Sequence, residues 1–200
     1  MKKILLLNFI LVSLTCISQN LVIPENEWHG NEEKENVFLK LLNLKNENSI
    51  IVKFGFSSYW TKGTVSNFIV YENGGKVKRY EVFESYNTEK KIKIKRRRVK
   101  KKEFKHYWNY FSESITDGKL KIDQSKLNIT EKKGTEEGTR ESMMVSDGAN
   151  YHFWIRQNKK YIAYGSYAPN SYINGKYPGY KERQKLVDLI NGFEKLIEKY

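Results

Sequence analysis

The residues of this chain with the clearest chemical capacity form one basic run, residues 90–105, which reads KKIKIKRRRVKKKEFK. Its sixteen positions contain eleven lysines and arginines and a single acid, Glu103. A dense local field of positive charge attracts phosphate, sulfate and carboxylate groups. The run therefore predicts a binding site for an anionic partner. The side chains expected to bind it are Lys93, Lys95, Arg96, Arg97, Arg98, Lys100, Lys101 and Lys102.

The positive charge of the chain is concentrated in this run. The net charge is +13, and residues 90–105 supply +10 of it. Lys2 and Lys3 account for two more charges, so the other residues are close to neutral. A diffuse coat for nucleic acid would be basic throughout, whereas one concentrated run points to a local role.

Two further interpretations of the run remain open. The first is a solvated strand edge and helix face, where lysines also block unwanted strand pairing. The second is neutralisation within the protein by the acidic segment that contains Glu25, Glu27, Glu32, Glu33 and Glu35. The residues KRRRVKKK also match a nuclear localisation signal, but the export signal described below excludes that role.

Periodicity predicts the elements that position these cations. Lysine and isoleucine alternate over residues 91–95, which predicts a strand with the isoleucines facing inward. Beyond Val99 the apolar residues recur every three or four positions, which predicts a helix over residues 100–116. Lys100, Lys101 and Lys102 then lie at the positive end of the helix dipole, where cations are unfavourable. An anion would compensate, either an external group or one of the protein's own glutamates.

A tyrosine-rich loop is the second candidate site. Residues 151–180 hold seven of the fourteen tyrosines in the chain. Tyr172, Tyr177 and Tyr180 fall in the loop, where their rings can stack on sugars or bases. The alternative is that these rings pin the loop to the domain, since burial is the commoner use of aromatic side chains.

Enzyme signatures are absent from the sequence. It contains no nucleotide-binding glycine motif, no nucleophile elbow and no zinc-protease motif. The three histidines, His29, His106 and His152, are far apart and have no matched partner. We therefore expect no catalytic residues, no metal and no cofactor. A hydrolase using His106 or His152 is a distant alternative that requires a carboxylate or hydroxyl beside the imidazole.

The first residues predict export. Lys2 and Lys3 precede a mostly apolar stretch from Ile4 to Thr15, too short to cross a bilayer and typical of a signal peptide. Cleavage after Ser18 would give a periplasmic or secreted protein, residues 19–200, without cysteine. Lipid attachment at Cys16, the single cysteine, is the alternative.

The rest of the chain predicts one α+β domain. Residues 65–83 contain two β-rich runs around Asn73, Gly74 and Gly75, the strongest hairpin signal in the sequence. Strands joined by short turns imply a largely antiparallel, meandering sheet, packed by the helix over 100–116 and a C-terminal helix over 180–199. Residues 131–141 have the composition of a charged loop, and three short strands are expected between residues 142 and 167.

These patterns predict an exported, non-enzymatic binding protein. Its expected partner is an anionic glycolipid, a polysaccharide or an acidic protein surface, and no nucleic acid is expected. The alternative is a structural or protein-interaction domain that uses its sheet face or the tyrosine-rich loop.

Overall fold

The computed structural model describes residues 38–44, 49–58, 60–72, 76–86, 92–157 and 160–200. The expected signal peptide, Cys16, His29 and the acidic segment at residues 25–35 lie outside the described residues. Within them the protein has an α+β fold, with a largely antiparallel sheet and helices packed on it. The predicted fold class is confirmed.

The described strands form two sheets. They are β1 (Ile50–Ser58), β2 (Gly63–Glu72), β3 (Lys76–Ser85), β4 (Ile92–Arg98), β5 (Glu131–Lys133), β6 (Arg140–Ser142), β7 (Ala149–Gln157) and β8 (Lys160–Tyr167). The main sheet has six strands in the order β4-β3-β2-β1-β7-β8, and every neighbouring pair is antiparallel. β5 and β6 form a separate two-stranded sheet.

Within the described ranges, four helices follow or connect the strands. They are α1 (Lys101–Thr116), α2 (Gln124–Leu127), α3 (Pro169–Asn174) and α4 (Tyr180–Lys199). The middle and C-terminal helices expected from periodicity are α1 and α4, and their bounds agree closely with the prediction. Both are amphipathic, and their apolar faces bury residues at helical spacing.

The main core lies between one face of the sheet and helices α1 and α4. Phe54 of β1 stacks on Phe193 of α4 with ring centroids 5.4 Å apart. Tyr71 of β2 stacks on Phe111 of α1 at 4.8 Å. These four side chains are at most 2% exposed, and burial of each contributes about 1.5–3 kcal/mol to folding. Apolar packing therefore holds α1 and α4 on this face of the sheet, which we call the helix-bearing face.

The opposite face of the sheet is covered in part by a helical turn at residues 38–41. Phe38 and Leu42 are buried there against a second cluster that includes Phe68. The apolar spacing of residues 36–45 predicts a helix with Phe38, Leu41 and Leu42 facing the core, and this prediction is wrong for Leu41, which is 48% exposed. The turn contacts the sheet along a narrow line, so a residue one position before Leu42 points away from it.

Two local predictions about the strands have different outcomes. The hairpin is confirmed, because β2 and β3 pair in register from Gly63 opposite Ser85 to Glu72 opposite Lys76. Its turn, residues 73–75, lies outside the described residues. The charged stretch at 131–141 was expected to be a loop, yet it contributes all of β5 and most of β6. The ladder pairs Lys132 with Glu141 through an ion pair of 3.2 Å, which offsets its poor β-propensity.

Candidate anion-binding surface

β4 and the first turn of α1 carry all eight predicted cations on one short segment. We call this set the basic stripe, and it consists of Lys93, Lys95, Arg96, Arg97, Arg98, Lys100, Lys101 and Lys102. All eight side chains are exposed. Only two residues, Val99 and Lys100, separate the end of β4 from the start of α1. The strand and the helix therefore present one continuous basic surface.

The stripe lies at an edge of the described sheet, with its cations on both faces. β4 pairs only with β3 among the described strands. The strand register places Lys95 in the same cross-strand row as Glu81 and Phe54. Phe54 packs on the helices, so this row belongs to the helix-bearing face of the sheet. Since side chains alternate along a strand, Lys93, Lys95 and Arg97 lie on that face, and Arg96 and Arg98 on the other.

The isoleucines of β4 occupy the second face. Alternation over this segment is confirmed, because Ile92 packs against the second apolar cluster. Ile94, however, is 39% exposed, and so the expectation that both isoleucines face inward was wrong for Ile94. A strand at the end of a sheet has a neighbour on one side only, which leaves its outer positions partly uncovered.

Few acids of the described residues neutralise the stripe. Arg97 lies 3.7 Å from the Glu81 carboxylate, and both side chains are about 40% exposed. An exposed pair at this separation contributes about 0–1 kcal/mol. The other seven cations of the stripe form no ion pair within the part of the chain that the structure describes. The positive charge of these residues is therefore directed to solvent.

The first turn of α1 has an internal anion of its own. Lys100 is the N-cap, and its backbone N–H donates to Glu103 Oε2 at 2.9 Å. Glu103 is buried at 5% exposure and lies near the positive end of the helix dipole. The single acid of the run thus satisfies the helix terminus. Lys101 and Lys102 have no such partner among the described residues, so the unfavourable position of these two cations persists.

The predicted stacking tyrosines occupy different environments. Tyr172 and Tyr177 are 3% and 6% exposed and pack edge to face at 5.4 Å. The Tyr172 hydroxyl donates to the Met143 backbone carbonyl at 3.0 Å, which ties the loop to the strand region before it. Tyr180 is 39% exposed at the start of α4. Of the three rings, Tyr180 alone has an open face in this structure.

Arg183 organises the tyrosine-rich loop, and sequence reasoning did not identify it. Its side chain is fully buried, and the guanidinium lies 4.7 Å from the Tyr172 ring centroid. It donates to three backbone carbonyls, Leu127 at 3.0 Å, Pro178 at 2.8 Å and Ile129 at 2.6 Å. Burial lowers the pKa of Arg183 from its ordinary value. Its position three residues before Leu186, on the apolar stripe of α4, was the available signal.

The two described histidines, His106 and His152, do not converge. His106 is exposed on α1, and its ring stacks on Tyr200 at 5.0 Å. His152 Nε2 lies 3.2 Å from the Ser66 hydroxyl, across Gly55 of the strand between them. This pair meets the one geometric condition set for a hydrolase. Ser66 is only 5% exposed, however, and lies in the middle of a strand ladder, which blocks the approach of a substrate.

Among the described residues no three His, Cys, Asp or Glu side chains converge on a possible metal position. In the same part of the chain, no helix is both long and apolar enough to cross a bilayer. The sequence matches no protein-family model and no curated protein.

Proposed function

We propose that this protein is an exported, non-enzymatic binding protein that engages an anionic partner through the basic stripe. The observation that carries the proposal is the exposure of eight clustered cations, seven of them without an ion pair among the described residues. Lys101 and Lys102 add a second argument. They occupy unfavourable positions at a helix N-terminus, and an external anion would relieve the conflict.

The export part of the proposal rests on residues 1–18, with their basic start and short apolar stretch. A mass measurement of the protein from the extracytoplasmic fraction tests it. A free N-terminus at Gln19 is the expected result. A lipid on Cys16 would change the location to a membrane surface, and an intact Met1 would overturn export.

The binding part is tested by retention on immobilised heparin across a salt gradient. The stripe variant carries serine at Arg96, Arg97, Arg98, Lys100, Lys101 and Lys102. The matched control loses six exposed lysines elsewhere, namely Lys62, Lys121, Lys133, Lys181, Lys195 and Lys199. Both variants lose the same net charge, so only the position of the charge differs. Circular dichroism checks that both are folded.

Late elution of the wild type and of the control, with early elution of the stripe variant, is the expected result. Seven neutralised charges give a slope of log K against log salt of about −5, at about 0.7 counterions released per charge. The two cations left in the stripe variant, Lys93 and Lys95, reduce the slope to about −1 or −2. Equal elution of both variants would show that net charge alone determines retention, and the site would be rejected.

A second candidate function is a protein-interaction domain that uses the helix-bearing face of the sheet. One row of that face runs across neighbouring strands through Tyr151, Phe56, Val65 and Phe83. Phe56 and Val65 are 45% and 40% exposed. Binding through this row would depend weakly on salt and would be lost on substituting serine at Phe56 and Val65, with the stripe intact.

A further inference from the structure

The geometry of β4 restricts the kind of anionic partner that fits the stripe. An outermost strand leaves the N–H and C=O groups on its outer side without a sheet partner, and these groups are a template for another strand. Among the described strands β4 is such an outermost strand, seven residues long and exposed along its length. The charge of the stripe is therefore combined with a row of directional backbone hydrogen-bonding groups.

The cations of β4 lie on both faces of the sheet, so different kinds of anionic partner would reach different sets of them. A flat anionic surface that approaches one face of the sheet reaches Lys93, Lys95 and Arg97 but not Arg96 and Arg98. An added strand places its own side chains alternately on both faces, opposite every residue of β4. Acids on that strand would lie about 4.5–5.5 Å from the facing cations, measured between Cβ atoms. This arrangement uses all five cations of β4.

A second copy of this chain is a poor occupant of the same edge. Full antiparallel overlap of two β4 strands would place Lys93 opposite Arg97 and Lys95 opposite the second Lys95, and directly opposed like charges destabilise a ladder. The edge thus resists self-association but is complementary to acids. Addition of a strand to a sheet edge is a common mode of peptide recognition, in which side chains supply the specificity.

We propose that β4 receives an extended acidic segment of a partner protein as an additional strand of the sheet, an inference that rests on the proposed function. The complementary segment has acids opposite the five cations of β4 and aliphatic residues opposite Ile92 and Ile94. Read antiparallel to β4, it is Glu-Glu-Glu-Glu-Val-Glu-Val. The exposed Ile94 side chain gains an apolar neighbour in this register.

The test uses this heptapeptide, with capped ends and a fluorophore, and measures its affinity for the mature protein by anisotropy. Two derivatives carry N-methyl groups on alternate residues, one on the odd and one on the even positions. In an added strand one of these sets faces β4 and the other faces solvent. Methylation of the facing set removes about three or four hydrogen bonds and should weaken binding about 100-fold, whereas the other set should stay within about twofold.

Two protein variants add a readout of geometry. One carries serine at Lys93 and Lys95, and the other carries serine at Arg96 and Arg98. Strand addition predicts that both pairs weaken peptide binding by similar factors, because both faces of β4 are in contact. A partner bound on one face would make one pair much more costly than the other.

The outcomes separate this inference from the proposed function. Unequal effects of the two methylated sets support strand addition. Equal effects, or binding of heparin without binding of the parent peptide, overturn strand addition and leave a charge site for a polysaccharide or a lipid surface. If neither heparin nor the peptide binds, both proposals fail together.

Discussion

Replacement of Arg183 by methionine should destabilise the protein strongly, because this side chain holds three chain segments together. Methionine has similar length and is apolar, so the change removes the donors while largely filling the space. The carbonyl of Leu127 keeps a hydrogen bond from the Ser166 hydroxyl at 2.9 Å. The carbonyls of Pro178 and Ile129 lose the Arg183 donor.

The magnitude follows from these contacts. A buried acceptor left without its donor costs about 1–3 kcal/mol; the bonds to Pro178 and Ile129 are partly buried, so about 2–4 kcal/mol applies to the two together. Loss of the cation from the Tyr172 ring adds about 1 kcal/mol. We therefore expect a fall of about 4 kcal/mol in the free energy of unfolding. For a domain of this size the midpoint temperature should fall by about 8–16 °C.

Urea unfolding followed by tryptophan fluorescence measures the effect, with the slope m compared between variants. Lys181→Met on the same helix is the matched control, since Lys181 is exposed and should be nearly neutral. Should Arg183→Met not fold, Tyr172→Phe gives a milder test. It removes the hydrogen bond to Met143 but keeps the ring, and should cost about 1 kcal/mol. A loss for Arg183→Met no larger than that of the control would refute the assigned role.

Three more predictions concern the helices and the tyrosines. Gly192→Ala should destabilise the protein by about 1–3 kcal/mol in thermal unfolding, despite a helix propensity gain of about 1 kcal/mol, because the new Cβ collides with Tyr110. Burial raises the pKa of Tyr71 and Tyr110 above 10.0, so the folded state keeps protons that the unfolded state releases. The contribution of these two tyrosines to the free energy of unfolding should therefore be constant below pH 10 and fall above it, by up to about 1.4 kcal/mol per pH unit for each tyrosine. An alkaline titration in which the wild type loses no more stability than Tyr71→Phe would contradict this. Glutamate at Lys101 and Lys102 should raise stability by about 1 kcal/mol and weaken heparin binding, and a loss of stability would count against the dipole argument.

Local signals account for the parts of the fold that the sequence predicted correctly. The hairpin before β3 depends on its own turn residues, and α1 and α4 depend on apolar spacing within each helix. Leu41 was misplaced because its burial depends on how a short helical turn meets the sheet. The pairing of β5 with β6 depends on a cross-strand match between Lys132 and Glu141 that composition does not reveal.

The features of the candidate site also differ in how far the local sequence predicts them. The cations, the strand and the helix start of the basic stripe follow from residues 90–105 alone. Glu81 comes close to Arg97 only through the register of β3 with β4, and Ser66 meets His152 across an intervening strand 86 residues away in sequence. Arg183 is a charged residue of a type that usually lies at the surface, but tertiary contacts bury it in this fold. Contacts distant in sequence were therefore the part that patterns did not predict.

Lysine footprinting can show whether the basic stripe binds an anion without any substitution in the protein. The mature protein is acetylated briefly with and without heparin, and the modified lysines are quantified by mass spectrometry. We expect rapid labelling of Lys93, Lys95, Lys100, Lys101 and Lys102 in the unliganded protein and selective protection of these five by heparin. Lys62, Lys121, Lys133 and Lys181 are the internal controls, and their labelling should not change. Protection spread evenly over both groups of lysines, or slow labelling of the stripe before heparin is added, would show that the basic stripe is not an available anion-binding site.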